Sequence, residues 1–413
     1  MDKPAAPAEA PTQALLRIAQ CYGTPTYAYE IARIRYQVQR LRTNLPQEID
    51  LLYSLKANPS LGICRLMSRS GLGADVASSG ELLTALEAGF PPQHISVSGP
   101  YKSPETLAQV CSTPGITISI DSITELRELA KSNQAYRAHL RLRPDYASSA
   151  TVDTGSNSRF GISFSDLPDC SEYLASEAVK VVGFHVFSGS QVLDAMSIIQ
   201  HLRGAMDLSL RAAEVLRVTP EVFNLGGGFG IPYGPADEEL DLEPIGAELS
   251  ELIKRASPAR IVLELGRYLV AQAGWYLTRV VGNQTNEGRQ AVVVDGGTHQ
   301  RSDACRLGLR TTARAPLVLN KTSQPVAATD VLGCLCLPDD VLAEASQLPA
   351  LEVGDVLAFS NAGAYGLSAS PALFLSHAIP AEVGFDGKTM ELFRSRTTAQ
   401  FFLNNQNFSS LSD

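Results

Sequence analysis

The chain has a single tryptophan, Trp275, and no run approaching 18 consecutive apolar residues, so nothing in it reads as a membrane-spanning helix. The Ala- and Pro-rich first dozen residues lack an apolar core behind a basic start, and no secretory leader is expected. Basic excess is missing as well. With 34 Lys+Arg against 43 Asp+Glu the formal net charge is -9, which argues against nucleic acid or an anionic membrane as the main partner and leaves small molecules or proteins. The cysteines, Cys21, Cys64, Cys111, Cys170, Cys305, Cys334 and Cys336, are odd in number and scattered. Their only close pair, Cys-x-Cys, fits no common zinc spacing, so no metal is expected and a reduced, cytoplasmic protein is. What remains is an ordinary globular composition, 45% hydrophobic, in a chain long enough for two domains.

Taken in order, the chain opens with a leader to about residue 12, a helical pattern from Thr12 to Tyr22 and a β-rich strip from Pro25 to Tyr29. Short Val/Ile/Leu-rich segments then recur at 50–56, 73–77, 94–98, 116–120, 138–143, 181–187, 222–225 and 260–264, most of them followed by a helical pattern such as Ser79 to Ala88. Continuous apolar runs alternating with helices imply parallel strands buried on both faces, and eight of them imply a closed (β/α)8 barrel; one larger α/β sheet is the alternative. Beyond about residue 275 helix signals fade. Strands are expected at Trp275 to Val281, Gln290 to Val294, Ala315 to Leu319, Asp330 to Cys336 and Val356 to Asn361. The expected organisation is a leader and strand over 1–35, the strand joining the β domain, an α/β barrel over 36–275, and a C-terminal antiparallel β domain over 276–413.

Three constellations carry chemistry. Lys56 ends the first apolar run, Tyr53-Ser54-Leu55-Lys56, just before an Asn58-Pro59 turn. A lysine at the C-terminal end of a buried barrel strand is placed where partial desolvation favours nucleophilic use, although a surface lysine capping a strand gives the same pattern. Gly226-Gly227-Gly228-Phe229-Gly230 follows the seventh run, where backbone NH groups free of Cβ interference can approach an anion, or where a simple turn can form. Glu264 ends the eighth run, with Arg267 three residues on; the two read either as a carboxylate for a protonated ring nitrogen and a cation for a phosphate, or as a surface pair. An amine for an aldehyde, donors for a phosphate and an acid for a pyridinium are together the three demands of pyridoxal 5'-phosphate.

From Thr24 to Phe401 the ordered series Thr26-Tyr27-Ala28-Tyr29, Tyr53 to Pro59, Gly73 to Glu81, Ser158-Arg159-Phe160-Gly161-Ile162, Asn224 to Tyr233, Glu264 to Arg267 and Gly363-Ala364-Tyr365-Gly366 resembles the fold-type III pyridoxal-phosphate decarboxylases, the group of diaminopimelate and eukaryotic-type ornithine decarboxylases. The resemblance implies that Lys56 carries the cofactor aldehyde and Glu264 keeps the ring nitrogen protonated. It implies further that Gly227, Gly228, Ser190, Arg267 and Tyr365 hold the phosphate, and that Asp75 and Arg141 lie close to the ring. It also implies a homodimer with shared active sites, in which Cys336 of one subunit protonates the decarboxylated carbon at the other's Lys56.

Two departures from the family pattern stand out. The family's usual His-Ile/Val-Gly-Ser after the sixth strand, whose histidine stacks on the ring, reads here His185-Val186-Phe187-Ser188-Gly189-Ser190, so either His185 or Phe187 can take the stacking place. The acidic residue that follows the cysteine in diaminopimelate and ornithine enzymes, where it binds the distal ammonium of the substrate, is Leu337 in this chain. A neutral side chain there leaves the ammonium unpaired, at a cost of several kcal/mol, which points to a different substrate. The segment after Tyr365 and the Cys-Leu-Pro-x-Asp stretch ending in Asp340 resemble a divergent branch of exopolysaccharide and secondary-metabolite pathways, some of whose members decarboxylate an aminoacyl group on a carrier protein. Leu337, Asp340 and Arg301 are the expected substrate contacts, with His299 and Gln300 beside Arg301 as further candidates. Rival readings are a lysine-pathway diaminopimelate decarboxylase, a racemase, disfavoured by Glu264, and a non-catalytic cofactor-binding protein, disfavoured by residues 276–413.

Overall fold

The computed structural model describes residues 11–146, 152–153, 159–286, 289–301, 315–387 and 389–406. Residues 1–10 of the expected leader, Ser158 of the family-like motif and Cys305 lie outside the described residues. The described residues form two compact units, one spanning Ala32–Gln272 and the other combining residues 11–31 with those from Ala273 on. The strand Thr26–Glu30 runs into the helix Ile31–Asn44 with no linker between them.

In the first unit eight strands close into a parallel barrel in chain order: Asp50–Ser54, Gly73–Val76, Ile95–Val97, Thr117–Ile120, Tyr136–Leu142, Val179–Val186, Val222–Gly227 and Arg260–Leu265, the last pairing with the first. Helices between them begin at side-chain caps, such as Ser78 accepting from Glu81 N and Ser122 accepting from Glu125 N, each the first half of a Ser-x-x-Glu capping box. In both cases the glutamate reaches back to the loop, through Ala77 N and Asp121 N. The barrel interior is layered. Leu52, Val222 and Val262 form a small buried apolar cluster. Two residues further along the same strand faces stand Ser54, Asn224 and Glu264, so a polar layer lies over an apolar floor toward the strands' C-terminal ends.

The second unit is built on a nine-stranded sheet whose main path runs Val341–Leu348, Ala327–Leu332, Arg289–Val294, Gly274–Asn286, Thr26–Glu30, Ala381–Asp386 and Thr389–Arg394. Val356–Phe359 pairs with Gly274–Asn286 and with Leu317–Val318. The sheet is mainly antiparallel, with parallel pairings of Thr26–Glu30 to Ala381–Asp386 and of Arg289–Val294 to Ala327–Leu332. The helix Thr12–Tyr22 packs Leu15, Ile18 and Ala19 into a core with Ala28, Trp275, Leu277, Val383 and Phe385. Three strands, Val341–Leu348, Ala381–Asp386 and Thr389–Arg394, go beyond the sequence expectations, and one expected strand ends early. Val341–Leu348, with its Ala-Glu-Ala-Ser-Gln stretch, has little intrinsic strand preference and is a strand only through its pairing with Ala327–Leu332. The strand expected to reach Cys336 stops at Leu332, because Asp340 draws the following backbone into a turn. Gly333 N donates to Asp340 O at 2.7 Å and Leu335 N to Asp340 Oδ2 at 2.7 Å. No helix of the described residues is long and apolar enough to cross a membrane.

A buried histidine ties a helix to the barrel. On the helix Ala195–Leu216, His201 donates through Nε2 to Leu225 O at 2.8 Å, while its Nδ1 lies 2.8 Å from Ser188 Oγ and 3.0 Å from Tyr146 Oη. Burial pushes His201 down to about 4, and burial together with nearby His185 pushes His139 down to about 3. Both stay neutral in the fold at pH values where an unfolded chain, with its ordinary histidine value of 6.5, takes up a proton. Stability present above pH 6.5 is therefore lost as the pH falls, by about 1.4 kcal/mol per unit for each histidine, until the folded values are reached. Urea melts across that window should show His201→Gln flattening the slope by about this amount; an unchanged slope would refute the role given to His201.

Candidate active site

The groups that bear on chemistry sit at the C-terminal ends of the barrel strands. Lys56 lies in the short turn Leu55–Ala57 that follows the first strand, with its side chain 43% exposed. That is the partial desolvation expected of a lysine at a strand end. Its Nζ stands 3.3 Å from Oδ2 of Asp75, a residue 2% exposed on the second strand, and Ser98 Oγ donates to the other Asp75 oxygen at 2.6 Å. An ion pair with a half-exposed lysine contributes about 0–1 kcal/mol, so its weight is in aiming the amine rather than in stability. The turn itself is fixed by Tyr53 Oη donating to Asn58 O at 2.8 Å and Ser60 N donating to Asn58 Oδ1 at 3.1 Å.

Glu264, 4% exposed on the eighth strand, accepts from Asn224 Nδ2 at 2.5 Å and lies 3.4 Å from His185 Nε2. His185 Nδ1 is 2.8 Å from Ser119 Oγ. Burial alone would raise the Glu264 carboxyl, but His185, the charge of Lys56 and the Asn224 amide outweigh it and hold the group well below the usual carboxylate range. It stays ionised. Phe187, half-buried beyond the sixth strand, has its ring centroid 5.5 Å from Lys56 Nζ, so Phe187 borders the lysine while His185 borders Glu264.

Arg141 on the fifth strand pairs with Asp121 at 3.0 Å, and its guanidinium lies 4.8 Å from the centroid of the Phe160 ring. Beside it Lys102, 6% exposed, bonds Glu125, Gly99 O and Ser119 O. This buried lysine escaped sequence reasoning because no motif surrounds it. Its effect is to fix the backbone of the fourth strand next to Ser119.

The glycine run lies against neighbouring backbone. A Cβ on Gly227 would meet Glu264 O at 2.0 Å, and one on Gly228, at φ +90°, would meet Gly189 O at 2.4 Å, so only glycine lets the seventh-strand loop seat between the ends of the sixth and eighth. Gln191 clamps the far side, donating to Ile231 O at 2.6 Å and accepting from Ile231 N at 3.2 Å. Half-buried Ser190 stands beside this loop. Arg267 opens the turn Arg267–Val270, 7% exposed, and donates to Tyr233 Oη at 2.9 Å.

In the second unit Tyr365 is half-buried at φ 54°, Cys336 is exposed and Leu337 is 46% exposed. Arg301, 4% exposed, lies 4.7 Å from the Phe359 ring centroid. Gln300 is taken up internally by Tyr276 Oη at 2.7 Å and Ala378 O at 3.0 Å. Asp340, expected to touch substrate, is 3% exposed and accepts from Thr298 N, Thr298 Oγ1 and Leu335 N, each at 2.7 Å. Three bonds to a charged acceptor, about 1.5–3 kcal/mol each, commit it to shaping the Cys336 turn instead.

The barrel mouth thus brings together an amine, a buried ionised carboxylate and a glycine loop near a cationic side chain. That donor set fits pyridoxal phosphate: Glu264 can keep a proton on a ring nitrogen, and the loop can receive a phosphate. Fold and site define a pyridoxal-phosphate enzyme on a (β/α)8 barrel. The model of the family "Pyridoxal-dependent decarboxylase, pyridoxal binding domain" matches residues 31–271, more than half the chain. The chain belongs to the pyridoxal-dependent decarboxylases of fold-type III. It is 34% identical over 395 residues to the L-glutamyl-(BtrI acyl-carrier protein) decarboxylase of Niallia circulans, covering 92% of each chain. It is 32% identical over 409 residues to the diaminopimelate decarboxylase of Methanothermobacter thermautotrophicus, covering 95% of this chain and 94% of the relative. Among solved structures, a diaminopimelate decarboxylase from M. jannaschii in complex with L-lysine superposes with a TM-score of 0.86 at 26% identity, over 96% of this chain and 94% of that one.

Lys56→Ala should purify without the visible absorption of bound cofactor and lose decarboxylation altogether. A variant as yellow as the wild type would remove Lys56 from the covalent role.

Proposed function

We propose that this enzyme removes the α-carboxylate of an amino acid lacking a free distal ammonium, presented as an aminoacyl group on an acyl-carrier protein, in a biosynthetic or secondary-metabolite pathway. The observation that carries the reading is Leu337, apolar and 46% exposed next to Cys336, where the resemblance places an acid in enzymes acting on diamino acids. A thioester-linked substrate has no distal charge to satisfy. The similarity to a decarboxylase named for a glutamyl carrier-protein substrate supports the same reading.

Pyridoxal phosphate, when bound, supplies the electron sink for the carbon that loses CO2. Lys56 would hold it covalently, with Asp75 aiming the amine. Glu264, kept ionised by its neighbours, would hold a proton on the ring nitrogen, and either Phe187 or His185 would lie against the ring. Gly227, Gly228, Ser190, Arg267 and Tyr365 would bind the phosphate, and Arg141 would stand beside the ring. Arg301 would take a second carboxylate if the substrate is acidic. The protein would act as a homodimer in the cytoplasm, with Cys336 of the partner subunit returning a proton to the decarboxylated carbon.

The rival reading, free meso-diaminopimelate as substrate, is supported by relatives such as the 32%-identical enzyme above. CO2 release by cofactor-loaded protein separates the two. Silence on free amino acids, including meso-diaminopimelate, with turnover of an L-glutamyl carrier protein is the expected outcome; rapid turnover of the free meso compound would sink the carrier-bound reading. The shared site is tested separately by mixing. Lys56→Ala and Cys336→Ala should each be inactive alone, and subunit exchange between them should restore about a quarter of wild-type activity, whereas no recovery after verified exchange would place both residues in one subunit's site.

A further inference from the structure

Within the β unit, three side chains from separate segments converge. His299 sits in the turn Thr298–Gln300, Cys334 in the turn after the strand Ala327–Leu332, and His377 ahead of the strand Ala381–Asp386. Each offers one ligand atom, and these atoms lie within 4.8 Å of one another. His299 is 1% exposed, yet neither Nδ1 nor Nε2 has a hydrogen-bond partner among the described residues. Its ring lies 5.0 Å from that of His377, centroid to centroid. A buried imidazole ordinarily satisfies at least one nitrogen, so two unmet nitrogens beside a thiol and a second imidazole mark a place built for something else.

The backbone next to all three ligands is tethered. Cys334 N donates to Gly296 O at 2.9 Å, and Gln300, adjacent to His299, donates through Nε2 to Ala378 O, adjacent to His377, at 3.0 Å. Asp340 joins Thr298 to Leu335, the neighbours of His299 and Cys334. The donors are thus held near one another by bonds that do not use the donor atoms themselves.

We propose that His299, Cys334 and His377 bind one Zn2+ ion, with a fourth position open to water. Two imidazoles and a thiolate are a borderline-soft donor set suited to zinc, and three protein ligands leave a coordination place free. Binding converts the Cys334 thiol to thiolate and releases its proton; the imidazoles bind neutral. Tetrahedral zinc needs donor atoms about 3.3–3.8 Å apart, so the cluster closes by about 1 Å, within reach of rotations of the half-buried Cys334 and His377 side chains. The ion would lock the turn that carries Cys336. Because the ligands come from distant segments, no short spacing in the sequence announces the site, and the proposal departs from the expectation of no metal. It stands independently of the substrate proposed above.

The test uses untagged, cofactor-loaded, full-length protein, stripped with a chelator and reloaded with Zn2+ or Co2+. The wild type should retain one zinc per chain after desalting, and its cobalt form should show tetrahedral ligand-field bands. Cys334→Ser and His377→Ala should lose both, and Cys336→Ser should keep both. In the wild type, which needs no substitution to fold, zinc should slow alkylation of Cys334 but not of Cys336 by about tenfold or more, read by peptide mass spectrometry. No retained zinc, an octahedral cobalt spectrum, or equal Cys334 alkylation with and without zinc would overturn the proposal.

Discussion

The barrel is organised around a charge that must be buried. Glu264 carries a carboxylate into a site 4% exposed, where an unpaired charge would cost several kcal/mol. What offsets that cost is a relay of side chains on different strands: Asn224 from the seventh, His185 from the sixth, and behind it Ser119 from the fourth. The same contacts that make the carboxylate tolerable also fix its position and keep it ionised. A buried pair of this kind contributes less to net stability than to holding one arrangement, and here that arrangement is what a protonated ring nitrogen requires.

Around that core, the mouth groups are positioned by a few backbone constraints. The glycine loop sits between the ends of the sixth and eighth strands because Gly227 and Gly228 carry no Cβ, and Gln191 holds it from the other side. Lys56 is delivered by a turn stapled through Tyr53 and Asn58, and Asp75 sets its direction. Near-attack geometry tolerates little displacement, so each of these constraints bears directly on the alignment of the mouth groups. In the β unit Asp340 plays the corresponding part, spending its carboxylate on backbone and hydroxyl donors to shape the turn bearing Cys336 and Leu337.

The parts of this molecule legible in the sequence are those governed by local pattern. All eight barrel strands lie within a few residues of the apolar runs that announced them, because a strand buried on both faces must be continuously apolar and its helix must alternate. Lys56, the glycine run and Glu264 were legible for a related reason: each ends such a run, and barrel chemistry collects at strand ends. The strand Val341–Leu348, the buried Lys102 and the internal duty of Asp340 were not, since neighbours distant in sequence determine each of them.

By itself, then, the sequence determined the alternation that makes a barrel, the order of its strands and the identity of the residues at their ends, because burial dictates composition residue by residue. Only the tertiary structure decided which of those residues meet. That His185 turns to Glu264 while Phe187 borders Lys56, that Asp340 faces inward, and that His299, Cys334 and His377 converge all depend on turns and pairings between distant segments, for which one-dimensional spacing holds no record.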